Sequence, residues 1–144
     1  MESEEKSGKH YIKNYQLKQG QAYGNYPESL VRNFRIKQLM GPEAQIREED
    51  AHLVVFEIAP GTYYPAHTHA WPEIYFILEG TAECTWGDET FIAEPGTFIY
   101  GPPHTAHAMR ITGDKPLVTI IASWAPGGRT DVFSEEGRLI EGVE

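Results

Sequence analysis

From about residue 30 onward, apolar and polar side chains alternate with period two in short runs, a pattern that predicts half-buried β-strands rather than helices. The runs fall at 31–39, 52–58, 63–67, 73–79, 81–86, 90–93, 97–100, 106–111 and 117–124. Between them stand Pro60 and Gly61, Gly80, Gly87, Pro95 and Gly96, Pro102 and Pro103, and Gly113, residue types that close turns and interrupt central strands. Many short strands at regular spacing predict an all-β fold, a sandwich or a barrel.

The run 73–79 departs from simple alternation. Glu73, Tyr75 and Ile77 share one face, Ile74, Phe76 and Leu78 take the other, and both faces are therefore largely apolar. A strand of this kind in a small barrel calls for cover on its outer side, either from the N-terminal segment or from a second subunit, and a homodimer is expected. Residues 1–29 read as a polar N-terminal arm, 30–126 as the barrel, and 127–144 as a polar C-terminal tail.

With 144 residues, 40% of them hydrophobic, the chain can bury one core and is too short for two barrels of this kind. A formal net charge of −9 argues against nucleic acid and anionic membrane surfaces as partners. The single cysteine, Cys84, excludes an intrachain disulfide and suits a reducing compartment. It alternates in phase with Ala82 and Trp86 and reads as a core residue rather than a nucleophile. The opening residues lack the apolar stretch of a signal peptide, and no apolar run is long enough to span a bilayer, so the cytoplasm is the expected address.

Candidate chemistry concentrates in two places. His67 and His69 are two apart and project the same way from a strand, and a carboxylate just past a bend, Glu73, can join them. An ionised Glu73 at the head of an apolar run costs several kcal/mol unless it is paired or coordinated, and a cation removes that cost. The second place is 101–109, with His104 and His107; together the two clusters hold four of the six histidines, which makes chance grouping a poor explanation. Two imidazoles and a carboxylate suit Fe, Mn, Zn, Ni or Co as the divalent ion, and ligand type alone does not choose among them.

The spacing from Gly61 through His67, His69 and Glu73 to Gly80 resembles the leading motif of the cupin superfamily, and Pro102 to His107 resembles its second motif. The resemblance covers about 54–124 and implies closure as a double-stranded β-helix, a jelly-roll barrel in a single domain. It also implies a fourth ligand from the second motif, either His104 or His107; the distance from proline to histidine favours His107. Two positions depart from the family pattern: His104 stands where glycine is usual, and Ile111 where asparagine is frequent.

Tyr75, two residues beyond Glu73, shares its face, which places a phenol either beside the ion, where its acidity rises, or in the barrel as filler. Arg110 falls on the opposite face from His107 and reads as a surface charge; Trp124 reads as a cavity wall or a core aromatic. Relatives similar around the histidine motif include sugar isomerases and dimethylsulfoniopropionate lyases, so the resemblance implies a metal-dependent isomerase (sugar aldose–ketose type) or lyase. Such an enzyme moves protons on a small oxygenated substrate chelated to the metal, with Tyr75 or His104 as acid/base. An Fe- or Mn-dependent dioxygenase and a non-catalytic small-molecule-binding cupin are the alternatives.

Overall fold

The computed structural model describes residues 4–134 and 137–140. In chain order the elements are β1 Lys6–Ser7, β2 Ile12–Lys13, β3 Lys18–Gln19, helix α1 Glu28–Val31, β4 Phe34–Gly41, β5 Ile46–Arg47, β6 Ala51–Ile58, β7 Tyr63–Thr68, β8 Glu73–Glu79 and β9 Thr81–Trp86. They continue with β10 Glu89–Ala93, β11 Phe98–Gly101, β12 His107–Thr112 and β13 Leu117–Trp124. Two 3-10 turns, Pro126–Gly128 and Thr130–Ser134, then lead to β14 Arg138–Leu139. Each of the nine runs of alternation in the sequence is a strand, and those at 73–79, 81–86 and 117–124 keep the same limits.

Among the described residues, one sheet runs β10-β9-β12-β7-β14 and the other β11-β8-β13-β6-β4-β3, with β5 on the edge of β4. The two sheets pack face to face as the jelly-roll, a double-stranded β-helix, and the chain passes between them at Gly80, from β8 to β9. Gly80 has φ of 82°, and a methyl group there would collide with the Pro116 carbonyl oxygen, so only glycine fits this corner.

Inward-facing side chains of both sheets fill the interior, with Ile58, Ile77, Met109, Ile111 and Leu117 at its centre. Burying each such side chain contributes about 1.5–3 kcal/mol. Cys84 is among them; burial pushes its thiol up to about 11, which keeps it protonated and unreactive. Arg110 is exposed, with its guanidinium 4.6 Å from the centre of the Tyr63 ring.

The two ends are more involved in the barrel than their composition predicts. Tyr26, Leu30 and Val31 are buried in the core, and Lys18 and Gln19 pair with β4. A few apolar residues in a polar stretch suffice, because the backbone hydrogen bonds of an edge strand carry no composition requirement. The expected tail, part of which falls outside the described residues, returns as β14 against Thr68 and His67. The Asn25 amide clasps it, donating to the Leu139 carbonyl at 2.8 Å and accepting from the Leu139 N–H at 2.9 Å.

The outer face of β8 and β11 is uncovered among the described residues. Phe76 and Phe98 are 46% and 54% exposed, with ring centroids 5.2 Å apart; Leu78 and Tyr100 continue the patch. Trp124 belongs to this side too, stacked on Tyr100, so it neither walls the cavity nor joins the core.

Candidate metal centre

Strand pairing brings the two histidine clusters together. β7 and β12 are antiparallel neighbours with His67 directly opposite His107, while the bend after β7 carries His69 towards Glu73, the first residue of β8. All four side chains are buried. The Nε2 atoms of His69 and His107 and the Glu73 carboxylate lie within 4.8 Å of one another. Glu73 Oε2 touches His69 Nε2 and lies 3.3 Å from His107 Nε2. His67 stands just outside that tight group, its ring centroid 3.9 Å from that of His107.

Each imidazole is fixed on its edge and on its face. His67 Nδ1 donates to the Pro65 carbonyl at 2.8 Å, His69 Nδ1 to the Trp71 carbonyl at 2.7 Å and His107 Nδ1 to the Thr105 carbonyl at 2.8 Å. A carbonyl only accepts, so the proton of each neutral ring sits on Nδ1 and Nε2 presents a bare lone pair. Tyr64 stacks on His67 at 3.9 Å, Trp71 on His69 at 4.4 Å and Trp86 on His107 at 4.6 Å. Spacing in the sequence singles out the candidate ligands but not these stacking partners, since Tyr64, Trp71 and Trp86 read equally well as ordinary core aromatics.

This arrangement fits a divalent cation. Glu73 Oε2 and His107 Nε2 are buried without a hydrogen-bond partner, and converging lone pairs repel unless a positive charge lies among them. In the protein alone, burial raises the Glu73 pKa, but His107 and His69, which donate to it from Nε2 once they take up a second proton, more than offset this, leaving it below the usual carboxylate value. Burial, with His107 next in size, holds His67 well below an ordinary imidazole. Both effects favour the ligand-competent forms, carboxylate and neutral imidazole.

A cavity of about 330 Å³ opens beside this group, lined by His67, His69 and Glu73 and by a set of aromatic rings that includes Tyr26, Tyr64, Trp71 and Tyr75. Tyr75 faces it as parity along β8 requires; burial, followed by the Glu73 charge, pushes its phenol well above the ordinary value. The Tyr26 and Tyr64 hydroxyls bond to each other at 2.9 Å. His104 is not part of this cavity. It is exposed, on the loop before β12, with φ of 60°, and lines a separate depression with Pro103 and Arg129. Its link to the site is through the backbone, from its N–H to the His69 carbonyl at 2.8 Å. His52 lines the cavity as well; an isolated histidine in an alternating strand gives no signal of its own in the sequence.

A family model described as a cupin domain matches residues 54–123. The dimethylsulfoniopropionate lyase DddQ of Ruegeria pomeroyi is 33% identical over 84 residues, 58% of this chain and 41% of that protein. The glucose-6-phosphate isomerase of Thermococcus litoralis is 36% identical over 78 residues, 51% of this chain and 40% of that one. The aligned regions thus span less than half the length of these relatives. The crystal structure of the Ruegeria pomeroyi lyase superposes with a TM-score of 0.71 at 25% identity, over 87% of this chain and 60% of the other.

Proposed function

We propose that this chain, which belongs to the cupin superfamily, is a metal-dependent lyase that eliminates a neutral thioether from a small sulfonium carboxylate such as dimethylsulfoniopropionate. The observation that carries this reading is the lining of the cavity: among the described residues that form it there are many aromatic rings and no lysine or arginine. Ring faces attract a sulfonium cation by about 0.5–2 kcal/mol each. The phosphate of a sugar phosphate needs basic side chains for charge-assisted hydrogen bonds, and the cavity offers none. Likeness to the lyase structure supports the same choice.

His69, Glu73 and His107, with His67 behind them, would hold the ion. A divalent cation there would supply Lewis-acid charge that polarises a substrate oxygen and lowers the pKa of a neighbouring phenol. The aromatic walls position the sulfonium and exclude water. Tyr75 handles the proton: its phenolate oxygen takes the hydrogen from the carbon next to the carboxylate as the carbon–sulfur bond breaks, leaving an unsaturated acid and a neutral thioether. His104, outside the cavity, orients the loop before β12 through its backbone bond to His69.

We also propose that the apolar outer face of β8 and β11 is the contact of a homodimer, since exposed apolar area of this kind is costly in a free monomer.

The decisive experiment incubates the chain, loaded in turn with Fe, Mn, Zn, Ni or Co, with dimethylsulfoniopropionate and measures dimethyl sulfide in the headspace. Release that depends on metal and on Tyr75 supports the lyase. Interconversion of glucose 6-phosphate and fructose 6-phosphate without dimethyl sulfide would replace it with an isomerase, and substrate-dependent oxygen uptake with a dioxygenase.

A further inference from the structure

The pairing register sets three polar side chains in one rung across the cavity wall: Glu73 on β8 stands opposite Ser123 on β13, and Ser123 opposite His52 on β6. The next rung is Tyr75, Ile121 and Val54. Along β13 and β6 the wall is therefore apolar until it reaches the level of Glu73. All three members of the polar rung line the cavity.

His52 has a defined tautomer. Its Nδ1 is 2.9 Å from the side-chain amide nitrogen of Gln38, a group that only donates, so Nδ1 accepts and the ring proton lies on Nε2. That Nε2 is buried and without a hydrogen-bond partner, a condition that costs about 1–3 kcal/mol. Burial also holds the ring below its ordinary pKa, hence neutral. The Phe133 ring lies across it at 4.5 Å and 69°, carried by the 3-10 turn Thr130–Ser134 at the end of an exposed stretch, 126–131.

We propose that His52 and Ser123 form a carboxylate-binding subsite, in which the His52 Nε2–H and the Ser123 hydroxyl donate to the carboxylate of the substrate once the Phe133 ring moves off the imidazole. The assignment rests on the reading of the substrate as a zwitterion: rings hold its cationic end, and the polar rung takes its anionic end. Two neutral donors on the part of the wall formed by β6 and β13, otherwise Val54, Phe56 and Ile121, suit a monoanion. They specify where the carboxylate lies and so which carbon is presented to Tyr75.

Propionate, a bare monocarboxylate, tests this apart from any elimination. It is titrated into the zinc-loaded chain and followed by ligand-observed proton NMR, with zinc content and thermal midpoint measured for each variant. His52→Phe and Ser123→Ala each raise the propionate Kd by about 10-fold, the loss expected for one hydrogen bond to a charged group. His52→Gln, which returns an amide donor near the position of Nε2, restores most of the affinity, and Phe133→Ala lowers the Kd. Zinc content stays at the wild-type level throughout. Unchanged propionate affinity in both His52→Phe and Ser123→Ala, absent binding by the wild type, or no tightening in Phe133→Ala overturns the subsite. Dimethyl sulfide release with propionate affinity unaltered in the variants removes the subsite and leaves the lyase. Lost propionate affinity in the variants, in a chain that releases no dimethyl sulfide, does the reverse.

Discussion

The Trp86 indole lies against the face of the His107 imidazole, with ring centroids 4.6 Å apart and 18° between the planes. With the Thr105 carbonyl on Nδ1, this contact leaves His107 one orientation, Nε2 towards Glu73. Trp86→Leu removes the face contact and keeps the ligand. Metal affinity is expected to fall about 10–100-fold, the usual effect of losing an outer-shell support. Competition with a fluorescent zinc chelator reads this directly; wild-type affinity would show that the carbonyl alone suffices.

Tyr75→Phe separates proton handling from packing. The ring still meets Trp86, 5.2 Å away, so metal content and thermal midpoint should stay at wild-type values. Turnover of dimethylsulfoniopropionate should drop by about 10²–10⁴-fold if the phenol transfers the proton. Steady-state kinetics with metal analysis on the same preparation checks both halves.

The buried neutral His67 gives the metal-free chain an acid weakness above the carboxylate range. Its folded pKa is depressed by burial and then by His107, while the unfolded value is about 6.5. Stability is therefore intact above that pH and declines as pH falls towards the folded value, because the unfolded chain takes up the proton first. Glu73, also depressed, adds a second decline only below the unfolded carboxylate value of about 4.3. Thermal midpoints of chelator-treated protein between pH 8 and 3 should show both limbs. His67→Leu should flatten the upper one.

The uncovered face of β8 and β11 predicts assembly. Gel filtration with light scattering should give twice the mass of one chain, and Phe76→Glu combined with Phe98→Glu should give a single-chain mass with metal content unchanged. A wild-type monomer would leave this face without its proposed partner.

Gly80→Ala should be among the most damaging small substitutions outside the site. It places a side chain at φ of 82° and against the Pro116 carbonyl, at a cost above about 1 kcal/mol, visible as a thermal midpoint lower by several degrees. An unchanged midpoint would mean that the corner can relax.

The alternation in the sequence determined the strands, and the spacing of His67, His69 and Glu73 marked them as candidate ligands, because parity along a strand fixes which side chains share a face before any partner strand is known. The inward direction of Tyr75 followed from the same rule, whereas the choice of His107 over His104 came from the resemblance to the second motif. Pairing between distant strands is not written in local pattern, and that is what the tertiary structure decided. It set His67 opposite His107 and left His104 outside. It laid Tyr64, Trp71 and Trp86 on the three imidazoles, and brought His52 and Ser123 into the rung of Glu73. It also drew the polar ends of the chain onto the barrel, where Tyr26, Leu30 and Leu139 are buried, since a handful of apolar contacts and an open strand edge hold a segment whose overall composition reads as loose.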